Sequence, residues 1–512
     1  MKKYFLISVI TLKCIFSFAQ NPGDSIFQSP VIHEINITFS QPDWWDSLMY
    51  YKTYSDSFNL STQAMMGNVI IDGTLIDSVG VQLKGNSSFG YPGQKKSIKI
   101  KFNEFVSGKK YDRLKTIILN NNTLDPTMMR EKLALDFLNM KGLPAPRCTY
   151  AKVSYNGQYV GLYKLLEEVD KTFLKTHFGN NGGNLFKGDP GGTLMWQGNI
   201  PNAYYSGYEL HTNTTANNWT DLVNLIDNIN NTSTSDFYDS LENNLNTNSF
   251  IRQWAARNLF VDLDAYYHGP HNYYLYHNTA TDKFEWNTWD VSVSFGFYPF
   301  WTEDSTENTS LLMASVNSPL TQRMLTNNTY KTIYLNTICE YLDYFSNAIL
   351  DQQIDSIAAA IYPAFAAEPD SNQMFPEQMF YAAMDTMTLH TPMGDIPGLK
   401  KFISKRRTNV LNELALLPFI CTNGVKNLSN LKAEVNIYPN PFSNSTTVQI
   451  SSGEITNYDL KIYDMYGLEV HPDIIRNSSS FRIIRGNLPG GIYIFQLSDK
   501  KQFVSSGKFI IQ

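Results

Sequence analysis

Two aspartates and an asparagine lie within one aromatic stretch of the sequence, residues 262–296. Asp264 and Asp290 stand near its two ends, and Asn272 lies directly before the strand-like run at residues 273–276. Carboxylates and side-chain amides supply the hard oxygen ligands of Mg²⁺, which is commonly held by one or two carboxylates and the phosphates of a nucleotide. The stretch is therefore one plausible site for a divalent metal and a phosphate, although the spacing alone is equally compatible with a structural metal or with none.

The secondary structure that must position these residues is predicted to change from strands to helices along the chain. Short alternating strands and turns fill residues 29–102, and residues 150–170 form a hairpin with an Asn156-Gly157 turn. A helix is predicted over residues 125–140, with Pro126 in its first turn. Apolar residues recur at helical spacing between residues 311 and 416. The pattern predicts a β-rich first part and a mainly helical second part.

A glycine- and serine-rich segment, residues 83–102, precedes a strand that begins near Lys96. Small residues let a backbone approach phosphates, and a lysine at the strand edge could reach them. On the residues alone, a hairpin loop before a lysine-rich edge strand is the simpler interpretation, because the segment is not GxxxxGK[ST]. Glu167, at the end of a later strand, is either an ion-pair partner for Lys96 or a solvated surface glutamate.

Other cationic side chains are weaker candidates. Arg130 falls in the first two turns of the predicted helix, and Lys187 ends the turn and short strand NGGNLFKG. The basic run at residues 400–407 is typical of a solvated helix face.

The composition excludes several functions. The chain has 512 residues, 43% hydrophobic and 17% charged, which describes a folded protein with room for more than one domain. Its net charge of -6 argues against a nucleic-acid partner. The histidines have no HExxH or paired spacing, so zinc hydrolysis is not expected.

Residues 1–19 have the plan of a secretory signal peptide, with two lysines, an apolar run and small residues before a cleavage that leaves Gln20 first. A membrane anchor is the alternative, but Lys13 interrupts an apolar run that is short for a span. No other segment is apolar enough to cross a bilayer, so no span is expected in the mature chain. Its three cysteines, Cys148, Cys339 and Cys421, form neither a disulfide framework nor a zinc site, although one bridge is possible.

After a predicted linker at residues 417–433, residues 434–512 show six or seven short strands with frequent turns, which predicts a small β-sandwich. This tail resembles the C-terminal sorting domain of the Bacteroidetes type IX secretion system. The resemblance rests on IYPNP at residues 437–441, the YD-x-x-G pattern at residues 463–467, and LP-x-G-x-Y from residue 488 with Lys508. It implies passage across the outer membrane through that machinery to the cell surface or the medium.

Residues 30–416 resemble the CotH (spore coat protein H) family of secreted atypical protein kinases. The motifs occur in the family's order: LKGNSS with KKSIKIKF, LDPTMMREKLALDF, VSYNGQYVGLYKLLEEVDKTFL, GGNLFK, D-x-Y with HNYYLY, and WD-x-x-x-SFG. The resemblance implies an α+β, kinase-like domain of two lobes, a β-rich N-lobe and a mainly α C-lobe, followed by the β-sandwich.

The resemblance also implies roles for the candidate residues. Lys96 corresponds to the nucleotide-binding lysine with Glu167 as its partner, and Arg130 and Lys187 are further candidates for cofactor binding. Asp264 corresponds to the catalytic aspartate that accepts a proton or helps to hold metal, Asn272 to a metal-site amide, and Asp290 to the metal-binding aspartate. The expected cofactors are ATP and Mg²⁺ or Mn²⁺, and the expected partner is an exported protein phosphorylated on Ser or Thr.

Two positions depart from the family pattern, and three functions stay open. Lys84 stands where arginine is common, and Ser292 stands where a second acid is common. The functions are a protein kinase, a structural surface protein without turnover, which Ser292 favours, and a carbohydrate-active or adhesive protein. For the last, Trp44, Trp45 and Trp196 are either sugar platforms or buried core residues.

Overall fold

Alternation of apolar and polar residues in the first part of the chain produces strands that close into a barrel. The computed structural model describes residues 21–28, 32–58, 60–298, 306–385, 388–391, 394–421, 435–450, 458–464, 469–477, 480–499 and 502–512. The predicted signal peptide and most of the predicted linker lie outside these residues. The chain divides into two compact units, Met1–Cys421 and Thr422–Gln512.

The barrel of the first unit is built from strands that neighbour one another in the order β1-β2-β3-β4-β5-β7-β6. Their bounds are β1 His33–Thr38, β2 Met65–Ile71, β3 Thr74–Lys84, β4 Ser97–Lys101, β5 Thr116–Asn120, β6 Cys148–Tyr155 and β7 Gln158–Glu167. Parallel pairing of β1 with β6 closes the barrel. The predicted Asn156-Gly157 turn joins β6 to β7, and both residues have positive φ, as such a turn requires.

Strand alternation decides which side chains reach the outside of the barrel. Ile98 and Ile100 on β4 are fully buried in its core, so Lys99 between them points outward. The same rule turns Lys84 outward at the end of β3, next to the buried Leu83. The outer face of the barrel therefore carries lysines toward the helical part of the same unit.

The helices of the first unit are α1 Asp24–Phe27, α2 Trp44–Phe58, α3 Arg130–Met140, α4 Lys171–Phe178, α5 Thr220–Asn231, α6 Phe237–Asn244, α7 Thr247–Leu259, α8 Pro319–Thr326, α9 Asn328–Leu342, α10 Asn347–Ala366, α11 Glu377–Met384 and α12 Leu399–Leu416. A second sheet has the order β11-β10-β8-β9. Its strands are β8 Leu185–Gly188, β9 Tyr208–Leu210, β10 Tyr273–Asn278 and β11 Lys283–Thr288. A short hairpin, β12 Leu389–Thr391 with β13 Gly394–Ile396, precedes α12.

The start of α3 differs from the prediction. The helix begins at Arg130 and not near Asp125. The Asp125 carboxylate accepts hydrogen bonds from the backbone NH groups of Thr127 and Arg130, at 3.0 and 2.9 Å, and Met128 has a φ of 59°. These turn contacts compete with helical hydrogen bonds, so residues 125–129 form a turn that leads into the helix.

The content of the first unit is mixed α and β, as predicted. The barrel and the helices belong to one compact unit. The finer division into two lobes therefore stays a prediction.

A disulfide joins Cys339 on α9 to Cys421 at the end of the first unit and closes a loop with a sequence separation of 82 residues. Cys148 is buried and has a free thiol. Cross-linking so long a loop restricts the unfolded chain, so we expect the Cys339→Ser/Cys421→Ser variant to lose about 2–4 kcal/mol of unfolding free energy. Denaturant unfolding of the two proteins measures this loss.

Reductant is the matched control for the disulfide. It should lower the stability of the wild type to that of the double variant and leave the variant unchanged. Equal stability of the oxidised wild type and the variant would contradict the assigned role.

His177, near the end of α4, makes the stability depend on pH. Its ring packs 4.1 Å from the Phe173 ring, and burial, with a smaller effect of the Arg147 charge, lowers the pKa of His177 to about 4. The folded state therefore holds this proton less tightly than the unfolded state, and the stability contribution is complete above pH 6.5 and is lost as the pH falls toward 4. We expect this side chain to account for roughly 1–3 kcal/mol of the stability lost between pH 7.5 and 4.5.

The measurement is the unfolding free energy at both pH values. His177→Phe should remove that part of the pH dependence, whereas His390→Phe, at an exposed histidine, should not. An unchanged pH dependence in His177→Phe would refute the assignment.

The second unit has two antiparallel four-stranded sheets, β14-β15-β19-β18 and β17-β16-β20-β21. The strands are β14 Val435–Tyr438, β15 Ser445–Ile450, β16 Tyr458–Asp464, β17 Glu469–Val470, β18 Ile474–Arg476, β19 Ser480–Ile484, β20 Gly491–Asp499 and β21 Gln502–Ile511. Val448 and Phe481 of one sheet share a core with Phe495 and Phe509 of the other. Residues 465–468, within one of the tail motifs, lie outside the described residues.

Candidate active site

Arg257, in the last turn of α7, binds the segments that carry Asp264, Asn272 and Asp290. Its guanidinium binds the Asp262 carboxylate at 2.6 and 3.0 Å. It also donates to the backbone carbonyls of Asn272 at 2.8 Å, Trp289 at 3.1 Å and Asp290 at 2.9 Å. One buried side chain therefore fixes the segment before Asp264 and both ends of the β10–β11 hairpin.

Asp262, the carboxylate partner of Arg257, is fully buried. Burial raises the pKa of its carboxyl to about 6, with a further increase from the charges of Asp264 and Asp290 and an opposing effect of Arg257. Its other oxygen, Oδ1, accepts from the backbone NH of Asp264 at 3.2 Å. Asp262 therefore sets the direction of the backbone that carries Asp264.

The Asp264 carboxylate is partly exposed and is held from two sides. His271 Nε2 lies 2.6 Å from Oδ1, and the Asn272 side-chain NH₂ donates to Oδ2 at 2.8 Å. Asn272 has a φ of 61°, a conformation that asparagine tolerates and that aims its amide back at Asp264. Burial alone would lower the pKa of His271, but the hydrogen bond and charge of Asp264 outweigh burial and raise it.

Asp290 follows β11 and also has a positive φ, 41°. The Ser292 hydroxyl and backbone NH donate to its Oδ1 at 2.7 and 3.3 Å. Burial acts to raise the pKa of Asp290, but the Ser292 hydrogen bonds and the charges of Lys84 and Lys164 outweigh burial and lower it. Asp290 is therefore an ionised carboxylate that interacts with two lysine cations, Lys84 and Lys164.

These cations stand on one row across the outer face of the barrel. Lys84 pairs in register with Ser97, whose hydroxyl donates to the Asn120 side chain at 3.2 Å. Asn120 in turn pairs in register with Lys164. The row therefore carries two lysines, and the charges of both act on Asp290.

Glu131, in the first turn of α3, holds Lys164 in this row. Its Oε2 lies 2.7 Å from Lys164 Nζ and accepts from the Asn120 amide at 3.2 Å. Burial acts to lower the pKa of Lys164, but the charges of Glu131 and Asp125 outweigh burial and raise it. Burial lowers the pKa of Lys84, with the charges of Glu168 and Asp290 acting in the opposite direction.

The predicted ion pair between Lys96 and Glu167 is wrong. Lys96 Nζ donates to the carbonyl oxygens of Phe89, at 2.9 Å, and Tyr91, so this lysine fastens the glycine- and serine-rich loop to its own strand. Glu167 instead binds Arg147, with distances of 2.7 and 2.9 Å. The pairing of β6 with β7 brings Arg147 beside Glu167, whose backbone NH donates to the Arg147 carbonyl.

The other two cationic candidates are also bound within the protein. Arg130 is fully buried and donates to the carbonyls of Ser294 and Phe295, at 3.2 and 2.9 Å, and to that of Pro397 at 2.5 Å. Its guanidinium therefore supports the backbone that follows Asp290 and has no surface for a cofactor. Lys187 Nζ pairs with Asp189 at 2.6 Å on β8, beside β10.

The tryptophans proposed as sugar platforms pack against the protein. The Trp44 ring stacks on Phe39 at 4.9 Å and lies 5.6 Å from Trp45, and both indoles are partly buried against the barrel core. Trp196 packs in the same way against the core of the helical part. Core packing therefore accounts for all three.

The acidic residues fit a metal that is shared with phosphates. In the described parts of the chain, no three His, Cys, Asp or Glu side chains converge on a metal-sized site. Mg²⁺ bound with a nucleotide needs only one or two protein carboxylates. The lowered pKa of Asp290 suits a metal-binding carboxylate. The side-chain oxygen of Asn272, at the same end of the hairpin, is a second candidate ligand.

Comparison with known proteins assigns both units to families. Residues 81–410 match the family described as CotH kinase protein, and residues 436–512 match the secretion system C-terminal sorting domain. The inner spore coat protein H of Bacillus subtilis (strain 168) is 29% identical over 197 residues, 38% of this chain and 53% of that protein. The chain thus spans about half the length of this curated relative.

A solved structure, the twitchin kinase region from C. elegans, covers 81% of this chain and 71% of its own at 7% identity, with a TM-score of 0.20. So low a score carries no argument about the fold.

The sorting domain indicates export through the type IX secretion machinery to the cell surface or the medium. Among the described residues, none of the helices combines the length and apolar character that a membrane span requires.

Proposed function

The chain belongs to the CotH kinase family, and from this premise we propose that it binds ATP with Mg²⁺ or Mn²⁺ and transfers the γ-phosphate to Ser or Thr of exported proteins. The observation that carries the proposal is the ionised Asp290 close to Lys84 and Lys164, two cations on one row of the barrel. Phosphoryl transfer depends on positioning and charge neutralisation, which such a set supplies.

Each residue has a separate task in this proposal. Lys84 and Lys164 neutralise phosphate oxygens, and Glu131 keeps Lys164 in place through the 2.7 Å ion pair. Asp290 and the Asn272 side-chain oxygen would hold the metal, which would withdraw charge from the phosphates.

Asp264 receives the proton of the acceptor hydroxyl as the oxygen of that hydroxyl attacks the γ-phosphorus and ADP leaves. His271 and Asn272 hold the Asp264 carboxylate in one orientation. Arg257 keeps Asp264 and Asp290 at a fixed spacing, because it binds the backbone or a neighbour of both.

A second candidate function is a surface protein that keeps the fold without turnover. Ser292 favours this second function, since it occupies the position where a second acidic ligand is common. Its hydroxyl donates a hydrogen bond to Asp290 Oδ1. A site with one carboxylate binds the metal less tightly, so nucleotide binding without transfer is the mark of this alternative.

The test is a titration of the mature protein with ATP and Mg²⁺ or Mn²⁺. We expect bound nucleotide to stabilise the fold by about 2.7 kcal/mol at a ligand concentration one hundred times Kd, measured as a shift of denaturant unfolding. ATP with excess chelator is the control and should stabilise far less. No stabilisation by ATP with either metal would refute both nucleotide binding and the kinase activity.

A further inference from the structure

A cavity of about 560 Å³ lies at the end of α3 that is distant from Glu131. Its walls include Lys141 after α3, His177 and Phe178 at the end of α4, the start of α7, and Glu285 on the hairpin. Glu131 and Lys141 stand at the two ends of α3, about 15 Å apart at 1.5 Å per residue. The cavity is therefore separate from Asp290 and large enough for a small ligand.

Amide, hydroxyl and carboxylate groups dominate the cavity wall. The Glu285 carboxylate accepts from the side-chain amides of Asn246 at 2.8 Å and Asn278 at 3.4 Å. Ser249 Oγ accepts from the Gln253 amide at 3.1 Å, which leaves its own proton to donate. Burial raises the pKa of Glu285.

Several of these groups retain hydrogen-bonding capacity toward the cavity. Within the described residues, the side chains of Asn248 and His177 have no hydrogen-bond partner, and both line the space. Asn248 is exposed, and its amide offers two donors and an acceptor. The cavity wall thus offers both donors and acceptors.

Both cations of the wall already have a carboxylate partner. Lys141 lies 3.3 Å from Glu340, and Arg252 lies 3.0 Å from the same carboxylate. An anion would have to compete with Glu340 for both cations. The cavity therefore suits a neutral ligand better than a phosphate or a carboxylate.

One wall is apolar and leaves room for a flat ligand. The Phe178 ring stacks on Tyr276 at 5.4 Å, which fixes its orientation. A methyl group on Gly142, another lining residue, would meet nothing within 4 Å. Such a wall can receive the C–H face of a sugar ring, while the polar wall receives its hydroxyls.

We propose that this cavity binds a neutral saccharide of one or two sugar units. Every sugar hydroxyl is both a donor and an acceptor, and it matches the mixed amide, hydroxyl and carboxylate set better than a purely anionic or apolar ligand would. The proposal does not require the kinase activity, because Asp290 and the lysine row take no part in it.

The experiment is calorimetric titration of the mature protein with glucose, galactose, mannose, N-acetylglucosamine, cellobiose and maltose. At least one of these sugars should bind with a Kd of millimolar order or tighter. Asn248→Ala and Glu285→Gln should each weaken that binding at least about fivefold, the loss expected when one or two hydrogen bonds disappear. Asn202→Ala, at an exposed asparagine outside the cavity, should leave the affinity unchanged.

Three outcomes would overturn the proposal. They are no binding of any of these sugars at 50 mM, sugar binding that both cavity variants leave unchanged, and binding of inorganic phosphate, titrated in the same way, in place of sugar. Asn248 is exposed and makes no internal hydrogen bond among the described residues, so its variant should fold and keep the test decisive. ATP titration of the same variants separates this result from any failure of nucleotide binding.

Discussion

Asp290→Ala is expected to lower phosphoryl transfer by a factor of about 10²–10³, the size of effect seen when one preorganised electrostatic contact to a transition state is lost. The substitution removes the carboxylate whose pKa is lowered by Ser292 and by the charges of Lys84 and Lys164. Without it, the two lysines would still attract phosphates, but no ionised group would hold the metal beside them. Initial rates of γ-phosphate transfer, with the chain itself as acceptor, measure the loss.

Asp343→Ala is the matched control, because Asp343 is an exposed carboxylate at the end of α9. It should transfer phosphate at the wild-type rate. Equal rates for wild type and Asp290→Ala would exclude Asp290 from the mechanism. If the wild type binds ATP and metal but transfers no phosphate, the structural alternative marked by Ser292 is correct.

The sequence alone predicts that Asp264, Asn272 and Asp290 lie close together. Asp264 and Asn272 precede an aromatic, strand-prone hairpin and Asp290 follows it, and the two ends of a hairpin must meet in space. The structure brings these ends together with Asp264 through Arg257. Arg257 itself was missed, because it lies in a helix whose pattern indicates only packing.

The predicted pairing of Lys96 with Glu167 is wrong, for a reason that strand geometry explains. Lys96 precedes β4, so alternation says nothing about its direction, and its ammonium turns back to the loop carbonyls. Lys164 stands between the buried Tyr163 and Leu165 within β7. A lysine inside an otherwise apolar strand is the signal that could have identified it.

The partner of that lysine could not be found from sequence spacing. Glu131 lies 33 positions before Lys164, and only the packing of α3 on the barrel brings the two charges to 2.7 Å. Arg130, next to Glu131, points the other way along the helix surface, toward the carbonyls of Ser294 and Phe295. Neighbouring charged residues on a helix therefore reach different sites.

A fully buried ion pair fastens the segment after α10 to the barrel. Lys95 Nζ lies 2.5 Å from Glu368 Oε1, and both side chains have 0% exposure. Burial lowers the pKa of Lys95 and raises that of Glu368. Glu368 Oε1 also accepts from the backbone NH of Leu162 at 2.7 Å, so one carboxylate joins the helical part to β7.

Removing one partner of this pair should cost more stability than any surface substitution. Lys95→Met and Glu368→Gln should each lower the unfolding free energy by about 3–5 kcal/mol, because each leaves a buried charge without its counter-ion. The double variant Lys95→Met/Glu368→Gln removes both charges and keeps an oxygen for Leu162, so its loss should be far below the sum of the single losses. Urea unfolding followed by tryptophan fluorescence measures all three.

The exposed pair of Lys400 and Asp355 provides the matched comparison, since its atoms lie 2.7 Å apart and Asp355 keeps 57% of its side-chain exposure. Asp355→Ala should cost no more than about 1 kcal/mol, because water solvates the remaining charge. If Glu368→Gln loses no more stability than Asp355→Ala, then breaking the buried Lys95–Glu368 pair costs no more than breaking an exposed pair, and the prediction is wrong. A double variant that loses the full sum would show that the two charges act independently.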